Sequence, residues 1–115
     1  MVFEVLKLVR ENKAKTLVKK YLDQVAPGFL HALNSYCLRK RGVDCVSLLL
    51  EDPEELRALL IEKNPLPVVE FVGKLLVKPL LAQVKKEELS DLLARVFVED
   101  PPKFKKMLGE VLGDP

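Results

Sequence analysis

Few side chains in this sequence combine the residue type and the spacing that catalysis requires. His31 and Ser35 are four residues apart in a segment with helical spacing, which allows a hydroxyl–imidazole pair. No acidic residue lies nearby in the sequence to orient the imidazole ring. We therefore expect His31 to be a surface or half-buried helix residue and predict that the chain is not an enzyme. A small hydrolase or transferase that uses His31 is the least favoured alternative.

Metal ligands and phosphate-binding motifs are equally scarce. Cys37 and Cys45 have only His31 to join them, whereas a structural zinc site usually has four nitrogen or sulfur ligands. The acidic clusters at residues 51–55 and 87–91 lie near predicted helix starts, where negative charge complements the helix dipole. The five glycines are scattered and form no phosphate-binding loop. We expect neither a metal ion nor another cofactor.

The cysteines and the N-terminal residues also bear on location. Two cysteines are too few for a disulfide framework, and a domain with a sufficient core needs no cross-link. We expect Cys37 in the core and Cys45 as a loop thiol. The first residues carry regular charges rather than the apolar run of a signal peptide. The most apolar segment, residues 68–84, is short and contains Glu70, Lys74 and Lys78, so we predict a cytoplasmic protein without a membrane span.

The elements that must position these residues are helical. The chain has 115 residues, of which 49% are hydrophobic and 31% charged, as is typical of one small globular domain. Apolar residues recur at helical spacing almost throughout. We predict an all-α fold, a compact bundle of five to six helices, with residues 1–115 as a single domain.

Residues 1–25 form either one helix or a pair of helices, because they carry two apolar stripes that are rotated by about 120° from each other. The first stripe contains Val2, Val5, Leu6 and Val9, and the second contains Ala14, Leu17, Val18, Tyr21, Leu22 and Val25. The sequence leaves open whether this segment docks on the bundle body, residues 26–115, or projects from it.

Local signals mark several helix ends. Pro27 suits the first turn of a helix that ends at Gly42. Asp52-Pro53 and Asp100-Pro101 each provide an N-cap followed by a proline at the first helical position.

One long apolar helix is predicted at residues 67–84. Glu70, Lys74 and Lys78 form a single thin polar stripe on it, so we expect the remainder to be covered, either at the bundle centre or at a self-association seam. Pro79 predicts a kink within this helix.

Charge is unevenly distributed. Residues 1–50 carry nine basic and four acidic side chains, whereas residues 51–115 carry ten and thirteen. If the first two helices pack side by side, the basic residues of the first half form one positive face. This candidate patch for nucleic acid or an acidic partner contains Arg10, Lys13, Lys15, Lys19, Lys20, Arg39, Lys40 and Arg41.

Residues 32–43, 50–56 and 68–76 together resemble a family of small helical archaeal modules named output domains. The similarity covers roughly residues 26–82. It rests on a helix that ends in Arg-Lys-Arg-Gly, an Asp-Pro helix start and an apolar helix after it. The resemblance implies a non-enzymatic regulatory or interaction unit from an archaeon. A bias toward Lys and Glu, which is common in hyperthermophile proteins, points to a thermophilic source.

The sequence thus predicts a non-catalytic protein–protein interaction or regulatory module that binds another protein or a second copy of itself. The alternative is a nucleic-acid-binding protein that uses the basic first half.

Overall fold

The computed structural model describes the backbone of residues 2–113 and the side chains of residues 10–113. Residues 2–113 form seven α-helices, a short 3₁₀ helix and no strand, within overall dimensions of 37 × 28 × 28 Å. The α-helices are α1 (Val2–Val25), α2 (Phe29–Arg41), α3 (Cys45–Glu51), α4 (Pro53–Ile61), α5 (Leu66–Gln83), α6 (Ser90–Glu99) and α7 (Pro101–Leu112). The 3₁₀ helix, Glu87–Leu89, lies between α5 and α6.

The prediction of an all-α, compact fold is confirmed, but the predicted number of five to six helices is too low for these residues. The additional helix is α3, whose first residue, Cys45, was expected to lie in a loop. It has its own N-cap, because the side chain of Asp44 accepts a hydrogen bond from the backbone N–H of Ser47.

Aspartates cap two further helices as predicted. The side chains of Asp52 and Asp100 each accept a hydrogen bond, at 3.2 Å, from the backbone N–H three residues later. Gly42 ends α2 with φ 72°, a left-handed conformation that suits glycine. The predicted start of α2 at Pro27 is wrong. The helix begins two residues later, since Gly28 is also left-handed, with φ 83°.

The core lies around α5, which packs against α1, α4, α6 and α7. Its centre consists of large side chains with no exposed surface, namely Leu22, Leu49, Leu56, Leu59, Leu76, Leu81, Phe97 and Phe104. Gly73 on α5 and Phe97 on α6 are in such close contact that a Cβ atom at position 73 would lie 2.9 Å from the Phe97 ring. Burial of these aliphatic and aromatic side chains is the main force that holds the helices together.

Helix α1 is continuous and packs against α2, α3 and α5. Ala14, Val18 and Leu22 of the second predicted stripe are buried, and Leu17 and Tyr21 are half-buried beside them. Val25, from the same stripe, is exposed, because the chain leaves the helix there. The first predicted stripe, Val2, Val5, Leu6 and Val9, lies outside the described side chains.

Two basic side chains tie helix ends to distant parts of the bundle. The Arg57 Nε of α4 donates a hydrogen bond to the carbonyl of Val98, in the last turn of α6. The Lys105 Nζ of α7 donates, at 2.7 Å, to the carbonyl of Glu51 at the end of α3. Each bond satisfies a carbonyl that has no partner within its own helix.

Asp44 links α1 to the start of α3 through its side-chain carboxylate. It lies between α2 and α3, accepts a 2.8 Å hydrogen bond from the Ser47 hydroxyl and pairs at 3.3 Å with the Lys15 ammonium of α1. Burial raises the pKa of Asp44, but the hydrogen bonds from Ser47 and the charge of Lys15 outweigh it, so the pKa lies below 3.8. The ionised form is therefore the one that the fold stabilises.

We expect Asp44→Ala to lower the free energy of unfolding by about 1–2 kcal/mol at pH 7, mainly through loss of the cap. Because the folded-state pKa is depressed, the ionic part of this difference is complete well above pH 3.8 and disappears as the pH falls through the folded-state pKa. Denaturant titrations of both proteins at pH 7, 5 and 3 measure it. Asp23→Ala, which removes only an exposed pair with Lys19, is the control with the smaller effect. A deficit that remains constant down to pH 3 would contradict the assignment.

Candidate interaction surfaces

The residues considered for catalysis lie on one helix. His31 is exposed on α2, and Ser35 is half-buried on the same helix. The side chains of residues 10–113 contain no group of three His, Cys, Asp or Glu residues that could hold a metal ion.

Cys37 and Cys45 form a disulfide, which corrects the expectation of a buried thiol and a loop thiol. Cys37 is buried as predicted, but Cys45 is the first residue of α3 and is equally inaccessible. The chain reverses after Gly42, so α3 starts beside the last turns of α2 and the two Cα atoms are 5.6 Å apart. The sequence spacing of eight residues did not reveal this reversal.

Three of the predicted basic residues have acidic partners. Lys15 pairs with Asp44, Lys19 pairs with Asp23 at 2.7 Å, and Arg41 of α2 pairs with Glu55 of α4. These contacts neutralise part of the charge that was assigned to a common positive face.

Lys20, another member of the set, lies on a different side of α1 from Lys15. Lys20 lies about 140° from Lys15 around α1 and borders α5, whereas Lys15 faces the α2–α3 connection. Arg10 and Lys13 are exposed earlier on α1, and Arg39 and Lys40 are exposed at the end of α2. The structure therefore brings Lys15 close to the end of α2 but places Lys20 at a separate surface.

Tyr36 organises a small polar cluster next to this end of α2. Its hydroxyl lies 3.2 Å from the Leu59 carbonyl and 3.3 Å from the Glu62 carboxylate. The ammonium groups of Lys63 and Lys40 lie 4.6 Å and 6.0 Å from the centre of the ring. Burial, followed by the adjacent Glu62 charge, raises the pKa of Tyr36. The cluster links α2 to the end of α4. Lys40 therefore lies beside a contact between two helices of the same chain.

The largest exposed apolar side chain is on α5. Phe71 is 58% exposed and Val68 is 40% exposed, although α5 also supplies Val69, Leu76 and Leu81 to the core. We define the α5 face as four exposed side chains that follow one another along this helix, Val68, Phe71, Lys78 and Ala82, together with Leu75, which lies between them and is half-buried. Four of the five are apolar, so this side of α5 lacks the polar cover that an amphipathic surface helix normally carries.

Two open grooves border the α5 face. The groove between α5 and α6 has a volume of about 260 Å³ and is lined by Pro67, Glu70, Phe71, Lys74, Asp91 and Ala94. The groove between α1 and α5 has a volume of about 270 Å³, with Leu17 and Tyr21 on one side and Pro79 and Ala82 on the other. Neither is an enclosed chamber that would exclude water from a reaction.

An ion pair crosses the first groove. The Lys74 ammonium of α5 and the Asp91 carboxylate of α6 are 2.8 Å apart. Their hydrogen bond and mutual charge raise the pKa of Lys74 and lower the pKa of Asp91. Both groups are therefore charged at neutral pH, and they give the rim of the α5 face both signs of charge.

None of the helices described in residues 2–113 is long and apolar enough to cross a membrane. Comparison with models of protein families finds no match. Comparisons with curated proteins and with solved structures find no match either.

Proposed function

We propose that this chain is a non-catalytic protein–protein interaction or regulatory module whose docking surface is the α5 face. The observation that supports the proposal is the exposure of Phe71 between Val68 and Leu75, with a groove on either side. Aromatic side chains are enriched among the residues that dominate binding energy at protein interfaces. A contiguous apolar patch on a soluble domain is typical of such a contact.

A protein partner is favoured over nucleic acid. Binding to phosphates requires basic side chains that can exchange counterions along one surface. Lys15, Lys19 and Arg41 already have acidic partners, and Lys20 is on another side of α1 from Lys15. The α5 face combines apolar side chains with charges of both signs, which suits a folded protein surface better than a phosphate backbone.

We also propose a cytoplasmic location in a thermophilic archaeon. Disulfides are typical of oxidising compartments and rare in the cytosol of mesophiles, so the bond between Cys37 and Cys45 agrees with a cytoplasmic location only in a source such as a hyperthermophile. The Lys- and Glu-rich composition and the resemblance to archaeal output domains favour the same source.

The proposal is tested by replacing Phe71 with glutamate. We expect Phe71→Glu to leave the fold intact, since the side chain is mostly exposed, and to weaken partner binding about tenfold or more, because a charge replaces a central apolar contact. Affinity capture from a lysate of the source cells, together with sedimentation of the purified protein, measures binding to other proteins and to itself. Circular dichroism checks the fold.

Leu38→Glu is the matched control. Leu38 is 51% exposed on α2, which packs against α1, α3 and α4, so the same charge is introduced away from the α5 face. Full binding by this variant and reduced binding by Phe71→Glu would support the proposal. A strict monomer that captures no protein would contradict it. So would binding to DNA or RNA that falls steeply with salt while Phe71→Glu has no effect.

A further inference from the structure

We propose, on the basis of the function proposed above, that the α5 face binds a second copy of this chain, with the two α5 helices antiparallel about a twofold axis at Leu75. The first argument is the spacing. Positions 68, 71, 75, 78 and 82 are separated by three, four, three and four residues. This is the a/d spacing of a two-helix seam, in which side chains of one helix fit between those of its partner.

The second argument is self-complementarity. In an antiparallel pair centred on Leu75, Val68 lies opposite Ala82 of the second copy, and Leu75 meets its own counterpart. Phe71 lies within one residue, about 1.5 Å along the helix, of the level of Lys78 of the second copy. A lysine stem covers an aromatic ring well, and its ammonium is attracted to the ring face.

Charge selects the antiparallel orientation. A parallel pair would place each Lys78 against Lys78 of the other copy, so that like charges meet at the seam. In the antiparallel pair, Lys78 instead approaches the Phe71 ring and the Glu70 carboxylate that lines the adjacent groove. Because Lys74 is already paired with Asp91, it adds no net repulsion near the axis.

The available surface has a suitable size. Helix α5 contains 18 residues and is therefore about 27 Å long, which nearly equals the 28 Å short dimension of the molecule. Helices α1 and α6 pack beside it, and three adjacent helices are roughly 30 Å wide. The whole side formed by α1, α5 and α6 is therefore roughly 800 Å², so a standard interface would use the flanking surfaces of α1 and α6 together with the α5 face.

Sedimentation of the purified full chain tests the association itself. We expect the wild type to move from 13.0 kDa toward twice that mass as its concentration rises to about 100 µM. Phe71→Glu should raise the dissociation constant about tenfold, whereas Leu38→Glu should leave it unchanged. Glu70→Lys should weaken the dimer by roughly threefold, and Glu70→Lys combined with Lys78→Glu should restore it.

Cysteine cross-linking tests the orientation. Both native cysteines are buried in their disulfide, so an introduced cysteine is the only accessible thiol. Leu75→Cys should form a covalent dimer on mild oxidation. Val68→Cys mixed with Ala82→Cys should also cross-link, but neither should do so alone. In the antiparallel pair, two copies of position 68 are about 21 Å apart along the seam, too far for a disulfide.

The outcomes separate this inference from the proposed function. If the chain still sediments at 13.0 kDa at about 100 µM, the inference that the partner is a second copy is wrong. If Phe71→Glu then still abolishes capture of another protein, the interaction module stands and only its partner differs. Strong cross-linking by Val68→Cys alone overturns the antiparallel arrangement, and a dimer that Phe71→Glu leaves intact overturns the use of the α5 face.

Discussion

Gly73→Leu should lower the free energy of unfolding by about 3 kcal/mol or more, equivalent to a fall of about 12 °C in the melting temperature. Gly73 lies on the buried side of α5, where even a methyl group would come within 2.9 Å of the Phe97 ring. The ring cannot withdraw easily, because it has no exposed surface and its edge packs against Phe104 at a centroid distance of 5.3 Å. Leucine favours a helix more than glycine does, so a loss of stability would come from packing alone.

A double-mutant cycle with Phe97→Ala identifies the cause. Each single variant should be strongly destabilised, but Gly73→Leu with Phe97→Ala should be more stable than the sum of the two losses predicts, because leucine then occupies the space of the missing ring. Ala58→Leu, at an exposed position of α4, is the control and should change stability by less than about 0.5 kcal/mol. If the losses of stability of the two single variants simply add in the double variant, the contact with Phe97 does not determine which side-chain size position 73 accepts.

Features that depend on neighbouring residues could be predicted from the sequence. The Asp52-Pro53 and Asp100-Pro101 helix starts and the stop at Gly42 each involve atoms three or four residues apart, and all three are present. The buried side of the last helix follows from its spacing for the same reason, with Phe104 and Leu108 in the core.

Features that depend on packing could not be predicted. The contact between Gly73 and Phe97 and the bond from Arg57 to the Val98 carbonyl join residues that are 24 and 41 positions apart. The exposure of Phe71 depends on where α1 and α6 lie against α5, which the spacing within α5 does not determine. Leu92 shows the same limit, since it follows the apolar helical spacing of α6 and is nevertheless exposed.

The candidate surface was only partly accessible to sequence reasoning. The scarcity of charges on the α5 helix indicated either a central helix or a self-association seam, and the structure contains elements of both, with a buried side and an exposed apolar side. The positions of the basic residues on the surface could not be predicted, because they depend on how α1 is rotated against its neighbours. That rotation puts Lys15 beside Asp44 and Lys20 beside α5.

Removal of the disulfide by Cys37→Ala with Cys45→Ala should lower the free energy of unfolding by about 2.5 kcal/mol, or about 10 °C in melting temperature. The bond closes a loop with a sequence separation of eight, which contains the whole connection from α2 to α3. The closed loop reduces the number of conformations that the unfolded chain can adopt. Without the bond the unfolded chain gains conformational entropy, so unfolding becomes more favourable. Alanine leaves no polar group in the buried sites of the two sulfur atoms. Thermal and denaturant unfolding of the two proteins measures the difference.

Thiol labelling in denaturant decides whether the bond exists in the purified protein. The unfolded wild type should take up no iodoacetamide without a reductant and two equivalents after reduction. The folded protein should resist reduction for as long as it remains folded, since both sulfur atoms are buried and exchange requires access to one of them. Two labels without any reductant would contradict the bond and restore the expectation of unpaired cysteines. If the disulfide of the folded protein resists the reductant, the α2–α3 connection is held closed by burial as well as by the covalent bond.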